Sequence, residues 1–384
     1  MYSSMTAIRP QAATRVLVAD DQPDVLEALR WLLTGEGYEP EFVSSTEGVL
    51  ERLRERPFDL LLMDLNYSRD TTSGREGLEL IPQVRAHDPS LPIVVMTGWG
   101  SVDTAVEAMR LGAKSFVQKP WEDVTLLEIV QREIEEAQAS KRRDAKQQRE
   151  FEDARLIQRG LLPAAMPQTA GVQLAASWQP ANGVGGDCFD ALTFTNGGVG
   201  LTIADVAGKG VPAALLMSNL QAAVRAFAQE GTAPGSVCTS VNRLLCRNIA
   251  SGKFVTFCYA VVDTVAHVVT YANAGHNPPV LMHANGRIDR LSPTGLVLGV
   301  AHDWTYSTGS VETEPGDRLV WFTDGITEAL APDGEEFGDD RIIEILQQHR
   351  AAPADALVRT LSDAVSAWTE TGPQDDATLI VAAV

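Results

Sequence analysis

Short apolar runs alternate with amphipathic stretches at the start of the chain, and each run ends in a polar side chain. The runs cover residues 15–19, 58–63, 92–96 and 115–118. Leucines at helical spacing follow the first run, which predicts a helix there. Strands that are apolar throughout are buried on both faces, so this alternation predicts a parallel sheet with helices on both sides.

The polar residues that follow these runs are Asp20, Asp21, Asp64, Thr97 and Lys119. The carboxyl ends of parallel strands share one edge of the sheet, where ligands bind, so we expect these side chains to lie close together. Neighbouring carboxylates repel each other unless they hold a cation, and oxygen ligands suit Mg²⁺. The pattern predicts a phosphoryl-accepting site with Asp64 as the nucleophile. Thr97 and Lys119 would contact the phosphoryl group.

Each of these residues also has an ordinary structural explanation when it is considered alone. Asp20 or Asp21 could cap a helix that begins near Pro23. Lys119, which precedes Pro120, could be a loop lysine. The presence of all of them, on successive strand ends in order, favours the chemical interpretation.

A long segment without proline or glycine follows, from Glu122 to Arg159, and it predicts a helical connector. Its apolar residues repeat at a spacing of three to four, but its centre, SKRRDAKQQRE, is charged. A homodimeric coiled coil and a solvent-exposed linker are both compatible with this pattern. The domain boundaries that we predict are 14–135 for the first domain, 122–160 for the linker and 170–384 for the last domain.

The rest of the chain has short β-rich segments, such as LTIADV and RLVWFTDG, with helical stretches near 211–229, 234–250 and 340–367. Strands mixed with grouped helices predict an α+β sandwich. Aspartates stand at the ends of its apolar segments. They are Asp187, Asp205, Asp324 and the pair Asp375 and Asp376.

These aspartates, without histidine or thiolate partners, predict a site for hard cations such as Mg²⁺ or Mn²⁺. Two such ions could share a bridging water and hydrolyse a phosphate ester, with Asp205 as the bridging ligand. Taken alone, Asp324 before Gly325 is typical of a turn, and Asp375–Asp376 of a solvated loop. The apolar strand beside each of them favours the metal site.

Three other residues near these segments also need an interpretation. His276 is either a polar group of the site or a structural turn histidine, and Lys209 is either a phosphate contact or a surface lysine. Cys188 is expected to pack rather than to react. The segment GKG lacks the spacing of a phosphate-binding P-loop.

The net charge of −20 repels polyanions, so we expect neither nucleic acid nor an anionic membrane as a partner. The four cysteines lack metal-site spacing, which favours a reduced cytoplasmic protein. The first residues lack the apolar core of a secretory signal, and no apolar run approaches the ~18 residues of a membrane span.

Residues 14–135 resemble the receiver domain of two-component response regulators, through VLVADDQPD, LLLMDLN, IVVMTGWG and FVQKP. The resemblance implies a doubly wound, five-stranded parallel sheet of flavodoxin-like topology, and Asp64 as acceptor of a phosphoryl group from a sensor histidine kinase. It further implies Mg²⁺ held by Asp20, Asp21, Asp64 and the carbonyl of Asn66. Thr97 and Phe116 would form the switch pair, with Lys119 on the phosphoryl group. The loop NYSRDTTSGREG is longer than receivers usually have.

Residues 157–384 resemble the metal-dependent serine/threonine protein phosphatases (the PPM superfamily), in the bacterial branch of the stage II sporulation protein E and the regulators of stress sigma factors. The resemblance rests on IQRGLLP, VGGDCFD, ADVAGKGVPAALLM, ANAGHNPP, FTDGITEA and DDATL. It implies a β-sandwich flanked by helices with two Mg²⁺ or Mn²⁺ ions. The implied ligands are Asp187, Asp205, Asp324, Asp375 and the carbonyl of Val206, with Asp376 as the alternative to Asp375.

The two resemblances together imply a response regulator that controls a protein phosphatase. The implied substrate is a phosphoserine or phosphothreonine protein of the anti-sigma-factor antagonist type. The alternative is a non-catalytic adaptor that binds a sigma factor or its antagonist. Such adaptors lose the metal aspartates, which this chain retains. A transcription factor is not supported, because no basic helix-turn-helix segment follows the receiver.

Overall fold

The computed structural model describes residues 14–67, 75–98, 102–249, 252–369, 372 and 374–384. The chain divides into two compact units, Met1–Arg149 and Glu150–Val384, and each is described by itself. Among the described residues, no helix is both long and apolar enough to span a bilayer.

The N-terminal unit is built on a parallel sheet of five strands in the order β2-β1-β3-β4-β5. The strands are β1 (Arg15–Ala19), β2 (Glu39–Val43), β3 (Leu60–Asp64), β4 (Ile93–Thr97) and β5 (Ser115–Gln118). This order confirms the flavodoxin-like topology. The hydrophobic pattern located four of these strands. It missed β2 because this edge strand, EPEFV, is only half-buried and carries charged residues.

Helices cover both faces of this sheet, as predicted. They are α1 (Pro23–Gly35), α2 (Thr46–Glu55), α3 (Arg75–His87) and α4 (Val102–Leu111). Alternate residues of each strand enter opposite cores: Leu17 and Ala19 pack on one side, and Val16 and Val18 on the other.

Helix α5 (Asp123–Leu161) is a single helix of 39 residues that begins in the N-terminal unit and ends in the C-terminal one. Near its start, Leu126, Val130 and Ile134 are buried in the sheet's core. Residues 141–150 in its middle are all exposed. A homodimer through this helix stays a prediction.

The C-terminal unit contains two five-stranded antiparallel sheets, in the orders β13-β10-β9-β8-β7 and β12-β11-β14-β15-β6. Their strands are β6 (Gln173–Gln179), β7 (Cys188–Thr193), β8 (Val199–Val206), β9 (Val255–Asp263), β10 (Val268–Ala274), β11 (Val280–Met282), β12 (Ile288–Arg290), β13 (Gly309–Glu312), β14 (Arg318–Phe322) and β15 (Ala377–Ala383). Side chains of both sheets, such as Tyr259 and Trp321, share one core. The unit is therefore the predicted sandwich.

Within the described part of this unit, five helices flank the sandwich: α6 (Val211–Phe227), α7 (Pro234–Asn248), α8 (Asp324–Thr327), α9 (Gly338–Gln348) and α10 (Ala354–Thr369). Helices α6 and α7 pack against the first sheet and extend the same hydrophobic core. Helices α9 and α10 pack on the outer face of the second sheet. The prediction of one helical stretch near 340–367 was wrong, because the chain breaks between α9 and α10. Pro353 lies at this break, and proline disfavours helical geometry in the residue before it.

Candidate active sites

The first site lies at the carboxyl end of the parallel sheet, where Asp20 follows β1 and Asp64 closes β3. Lys119 Nζ donates to Asp20 Oδ2 at 2.6 Å and to Asp64 Oδ2 at 2.7 Å. Carboxylate oxygens of Asp20, Asp21 and Asp64 all lie within 4.8 Å of one another. Burial raises the pKa of Asp20, and the hydrogen bond and charge of Lys119 oppose that shift.

A cavity of about 230 Å³ opens at this edge and is bordered by Asp21, Asp64, Asn66 and Lys119, among others. Thr97 ends β4 with 4% of its surface exposed, and its carbonyl accepts the Lys119 backbone N–H at 2.7 Å. Phe116, the second member of the implied switch pair, is 47% exposed on β5. The cavity is bordered by two of the three clustered carboxylates, Asp21 and Asp64, and fits a hydrated Mg²⁺ ion.

The structure does not support the explanation that Asp20 or Asp21 caps helix α1. The N-cap position of α1 is Gln22, which makes no side-chain capping bond. Asp20 Oδ1 instead accepts the backbone N–H of Gln22 itself, at 3.0 Å. That bond holds one carboxylate oxygen while Oδ2 faces Lys119. Of the long loop that departs from the receiver pattern, residues 68–74 lie outside the described residues.

In the C-terminal unit, Asp187 is 1% exposed and stands immediately before β7. Its Oδ2 accepts hydrogen bonds from two hydroxyls, Thr323 Oγ1 at 2.7 Å and Thr378 Oγ1 at 2.6 Å. Its Oδ1 is buried and has no hydrogen-bond partner among the described residues. Burial, and next the charge of Asp205, raise the pKa of Asp187 well above its usual value. A buried carboxylate oxygen that lacks a donor fits a cation ligand.

Asp205 near the end of β8 and Asp324 at the start of α8 share this electrostatic environment. Burial raises the pKa of Asp205 to about 7, and the charges of Asp324 and Asp375 add to the shift. Burial and the charge of Asp375 likewise raise the pKa of Asp324. The predicted aspartates therefore converge. They are more widely spaced than those of the receiver, since no three of them among the described residues lie within 4.8 Å.

The structure distinguishes the two members of the pair Asp375 and Asp376. Asp376 is 6% exposed, and its two carboxylate oxygens accept the backbone N–H groups of Ala181 at 2.9 Å and Gly186 at 2.7 Å. Asp375 is half exposed and pairs with Lys209 Nζ at 2.9 Å. Asp376 thus holds the backbone around Asp187, whereas Asp375 bonds to Lys209 and its charge acts on Asp205 and Asp324. Lys209 contacts this carboxylate and also the carbonyl of Gln374, at 3.1 Å.

The glycines of these segments allow backbone segments to approach each other closely. A Cβ on Gly186 would lie 2.7 Å from the carbonyl oxygen of Val206, and a Cβ on Gly325 would overlap the carbonyl of Asp376. Only glycine leaves room for the Val206 carbonyl beside the Asp187 segment.

Three side chains that support the site were missed by the sequence analysis. Thr323 and Thr378 orient Asp187, and their only signal was their position beside Asp324 and Asp376. Gln158, near the end of α5, is 2% exposed. Its Nε2 donates to the Gly185 carbonyl at 2.6 Å, and its Oε1 accepts the Gly185 N–H at 3.0 Å. The end of α5 is thereby bonded to the segment that carries Asp187.

Asp190, His276 and Cys188 are all buried. Asp190 accepts two hydrogen bonds from Arg225 of α6, at 2.6 and 3.1 Å. His276 is buried, and its Nδ1 lies 2.9 Å from Thr256 Oγ1. Burial lowers the pKa of His276 to about 4, so the ring is neutral at physiological pH. Cys188 lies in the core, where burial raises the pKa of its thiol, in keeping with the predicted packing role.

Comparison with known proteins confirms both family resemblances. The family model of the stage II sporulation protein E (SpoIIE) matches residues 195–384, and that of the response regulator receiver domain matches residues 16–131. The phosphoserine phosphatase RsbU of Bacillus subtilis (strain 168) is 32% identical over 233 residues, which are 60% of this chain and 69% of RsbU. The chain belongs to the SpoIIE phosphatase family. Protein IcfG of Synechocystis is 31% identical over 236 residues, which are 54% of this chain and 37% of IcfG.

Solved structures share the fold of the C-terminal unit. The RsbU and RsbW domains of Rv1364c from Mycobacterium tuberculosis match with a TM-score of 0.50 and 26% identity, covering 58% of this chain and 62% of that one. The SiaA-PP2C domain of Pseudomonas aeruginosa has a TM-score of 0.55 at 22% identity, covering 62% and 97%, and shows the fold alone. This SpoIIE-family chain therefore joins a receiver to a metal-dependent protein serine/threonine phosphatase domain.

Proposed function

We propose that phosphorylation of Asp64 by a sensor histidine kinase controls the dephosphorylation of a phosphoserine or phosphothreonine protein by the C-terminal unit. The observation that carries the catalytic part is the buried, unpartnered Oδ1 of Asp187 beside the mutually repelling Asp205 and Asp324. Such a group of carboxylates is costly to bury without cations.

Asp187, Asp205, Asp324, Asp375 and the carbonyl of Val206 would hold two Mg²⁺ or Mn²⁺ ions. Bound ions of this kind lower the pKa of a water and polarise the phosphoryl group. The remaining residues fix the ligands. Thr323 and Thr378 orient Asp187 through its Oδ2, and Asp376 anchors the backbone at Ala181 and Gly186. We assign Asp376 this anchoring role in preference to a metal-binding one.

In the receiver, Asp20, Asp21, Asp64 and the carbonyl of Asn66 would hold Mg²⁺, and Lys119 would contact the incoming phosphoryl group. Two observations support this assignment: the carboxylate oxygens lie within 4.8 Å of one another, and a cavity opens beside them. Thr97 and Phe116 would form the switch pair, since Thr97 stands at the site and the ring of Phe116 is half exposed on the neighbouring strand.

The proposed coupling passes through α5. The helix packs in the receiver core through Leu126 and Val130, and its other end is bonded to Gly185 by Gln158. Gly185 lies two residues before Asp187. A shift or rotation of the helix end would therefore act directly on the segment that orients a metal ligand, which biases the phosphatase between two states.

The substrate proposal rests on the family. RsbU is named a phosphoserine phosphatase, and Rv1364c carries an RsbU domain together with an RsbW domain. We therefore propose an anti-sigma-factor antagonist as the phosphoprotein, in a partner-switching pathway that releases or sequesters a sigma factor.

Replacing Asp205 or Asp324 by Asn tests the catalytic proposal. Losing several kcal/mol of metal-dependent stabilisation should lower Mn²⁺-dependent hydrolysis of a phosphoserine protein and of p-nitrophenyl phosphate by roughly 1,000-fold. Asp303→Asn is the matched control, because that side chain is 96% exposed on a loop. Wild-type turnover in both site variants would contradict the assignment and favour the adaptor alternative.

A further inference from the structure

The C-terminal unit contains two lysines among residues 150–384, Lys209 and Lys253. Lys253 is distant from Lys209 in the sequence, yet it contacts the turn that follows Asp205. Lys209 lies within that turn. Lys253 precedes β9, the strand that pairs with β8.

The antiparallel register brings Lys253 to this turn. Asp205 pairs with Thr256 and Val206 with Val255, and the N–H of Ala207 donates to the Phe254 carbonyl at 3.0 Å. Continuing the same register places Lys253 opposite Gly208. Gly208 has φ +111°, and a Cβ there would overlap the ammonium group of Lys253. The ammonium group of Lys253 therefore lies next to the backbone of Gly208, three residues after Asp205.

The two ammonium groups differ in what they contact. Lys209 Nζ bonds to Asp375 Oδ2 at 2.9 Å and to the Gln374 carbonyl at 3.1 Å. Lys253 is half-buried, and within the described part of the chain its Nζ has neither an ion-pair partner nor a hydrogen-bond acceptor. A partly desolvated cation without an acceptor is costly unless an anion binds to it.

The charge balance of the proposed metal site explains why an anionic substrate would need the ammonium group of Lys253. Two divalent ions would carry four positive charges, and the four proposed ligand carboxylates cancel them. Lys209 is engaged by Asp375, and Asp376 adds a further negative charge. A phosphate monoester dianion would then find no net positive charge at the site without another cation. The start of α6 adds a favourable partial charge, since its N-cap is Gly210, which offers no side-chain acceptor to the first-turn amides.

We propose that Lys253 binds the phosphoryl group of the substrate, as the substrate-contacting cation of the phosphatase site. This inference rests on the proposed function, since it presumes phosphate-ester hydrolysis at Asp205 and Asp324. Lys253 supplies a point charge to a phosphoryl oxygen, while Lys209 serves to hold Asp375.

The test compares Lys253→Met and Lys253→Gln with the wild-type chain, with Mn²⁺ and p-nitrophenyl phosphate. We expect KM and the inhibition constant of inorganic phosphate to rise together by about tenfold, as for the loss of one charged contact, with kcat within about twofold. Lys253→Arg should restore most of the binding. Arg359→Met on α10 is the control, because that side chain is exposed and paired with Asp355.

Unchanged KM and phosphate inhibition in both neutral variants would overturn the inference, and so would a loss confined to kcat. Far-UV circular dichroism confirms that each variant is folded. If one neutral variant is misfolded, the other decides. The outcome separates this inference from the proposed function: an inactive wild-type chain would reject both, whereas an active one with unaffected Lys253 variants would reject the role of Lys253 alone.

Discussion

The two acidic clusters of this chain solve the same electrostatic problem in different ways. In the receiver, Lys119 bonds to both Asp20 and Asp64 within 2.7 Å, so the protein supplies part of the counter-charge itself. In the phosphatase unit, Asp187 accepts hydrogen bonds from two neutral hydroxyls, and burial together with the charges of Asp324 and Asp375 raises the pKa of Asp205 to about 7. The first cluster is partly balanced within the fold, whereas among the described residues no basic side chain bonds to Asp187, Asp205 or Asp324 of the second.

The sources of the ligands differ as well. The receiver carboxylates follow neighbouring strands of one parallel sheet, where topology alone brings them to one edge. The phosphatase carboxylates come from both sheets of the sandwich and from α8, and hydroxyl and backbone bonds fix their orientation. A site assembled from two sheets can be loosened at the supporting bonds without loss of the fold, which makes it suited to control.

The largest effect should come from changing the state of the receiver cluster and measuring the activity of the phosphatase cluster. Beryllofluoride, which mimics an acyl phosphate, should change wild-type phosphatase turnover by roughly 5- to 150-fold, the usual range of allosteric coupling. Asp64→Asn should abolish this response, because the acceptor carboxylate is lost. Steady-state hydrolysis of p-nitrophenyl phosphate measures both.

Asp24→Asn is the control for this experiment, since Asp24 is an exposed residue of α1. Gln158→Met should weaken the response while leaving beryllofluoride binding intact, because its two bonds to Gly185 are removed. If beryllofluoride left the turnover of the wild-type chain unchanged, the receiver and the phosphatase would act independently.

A smaller effect is expected from the hydroxyls that stand in for a counter-charge at Asp187. Thr378→Val removes one donor from its Oδ2 and should lower Mn²⁺ affinity by about 10- to 100-fold, as is usual for groups that orient metal ligands. Thr378→Ser keeps the hydroxyl and should bind almost normally. Isothermal titration calorimetry with Mn²⁺ distinguishes them, and equal affinity in both variants would show that the hydroxyl is dispensable.

The smallest effect concerns pH. The pKa of Asp205 is raised in the folded chain, so the folded state holds this proton more tightly than the unfolded state does. The resulting stability is complete below the ordinary aspartate pKa and is lost as pH rises towards 7. Without divalent ions, the thermal midpoint of the phosphatase unit should fall by roughly 3–6 °C from pH 5 to pH 8.

Differential scanning calorimetry with and without Mn²⁺ tests this expectation. Mn²⁺ should reverse the fall, because the ion binds the deprotonated carboxylates. Asp205→Asn should reduce the pH dependence, since the amide does not titrate, while Asp187 and Asp324 still contribute. A midpoint that rises with pH in the metal-free wild-type chain would contradict the charge repulsion inferred for this cluster.

Much of the fold followed from the sequence, because buried strands of a parallel sheet carry continuous apolar runs. The runs that end at Asp20 and Asp64 located β1 and β3 closely. Strand β2 and the break between α9 and α10 did not follow in the same way. The half-exposed β2 has a weak hydrophobic signal, and the stretch from 340 to 367 kept an apolar pattern on both sides of its break.

The sequence alone determined which carboxylates this protein would bring together, since their places at the ends of apolar segments fix the edge at which they emerge. Tertiary structure decided what each of them does. It turned Asp376 towards backbone amides and left Oδ1 of Asp187 without a donor. It also brought Gln158 and Lys253 beside the site. The reason is physical: hydrogen-bond partners and strand register join residues far apart in the chain, and no local pattern records them.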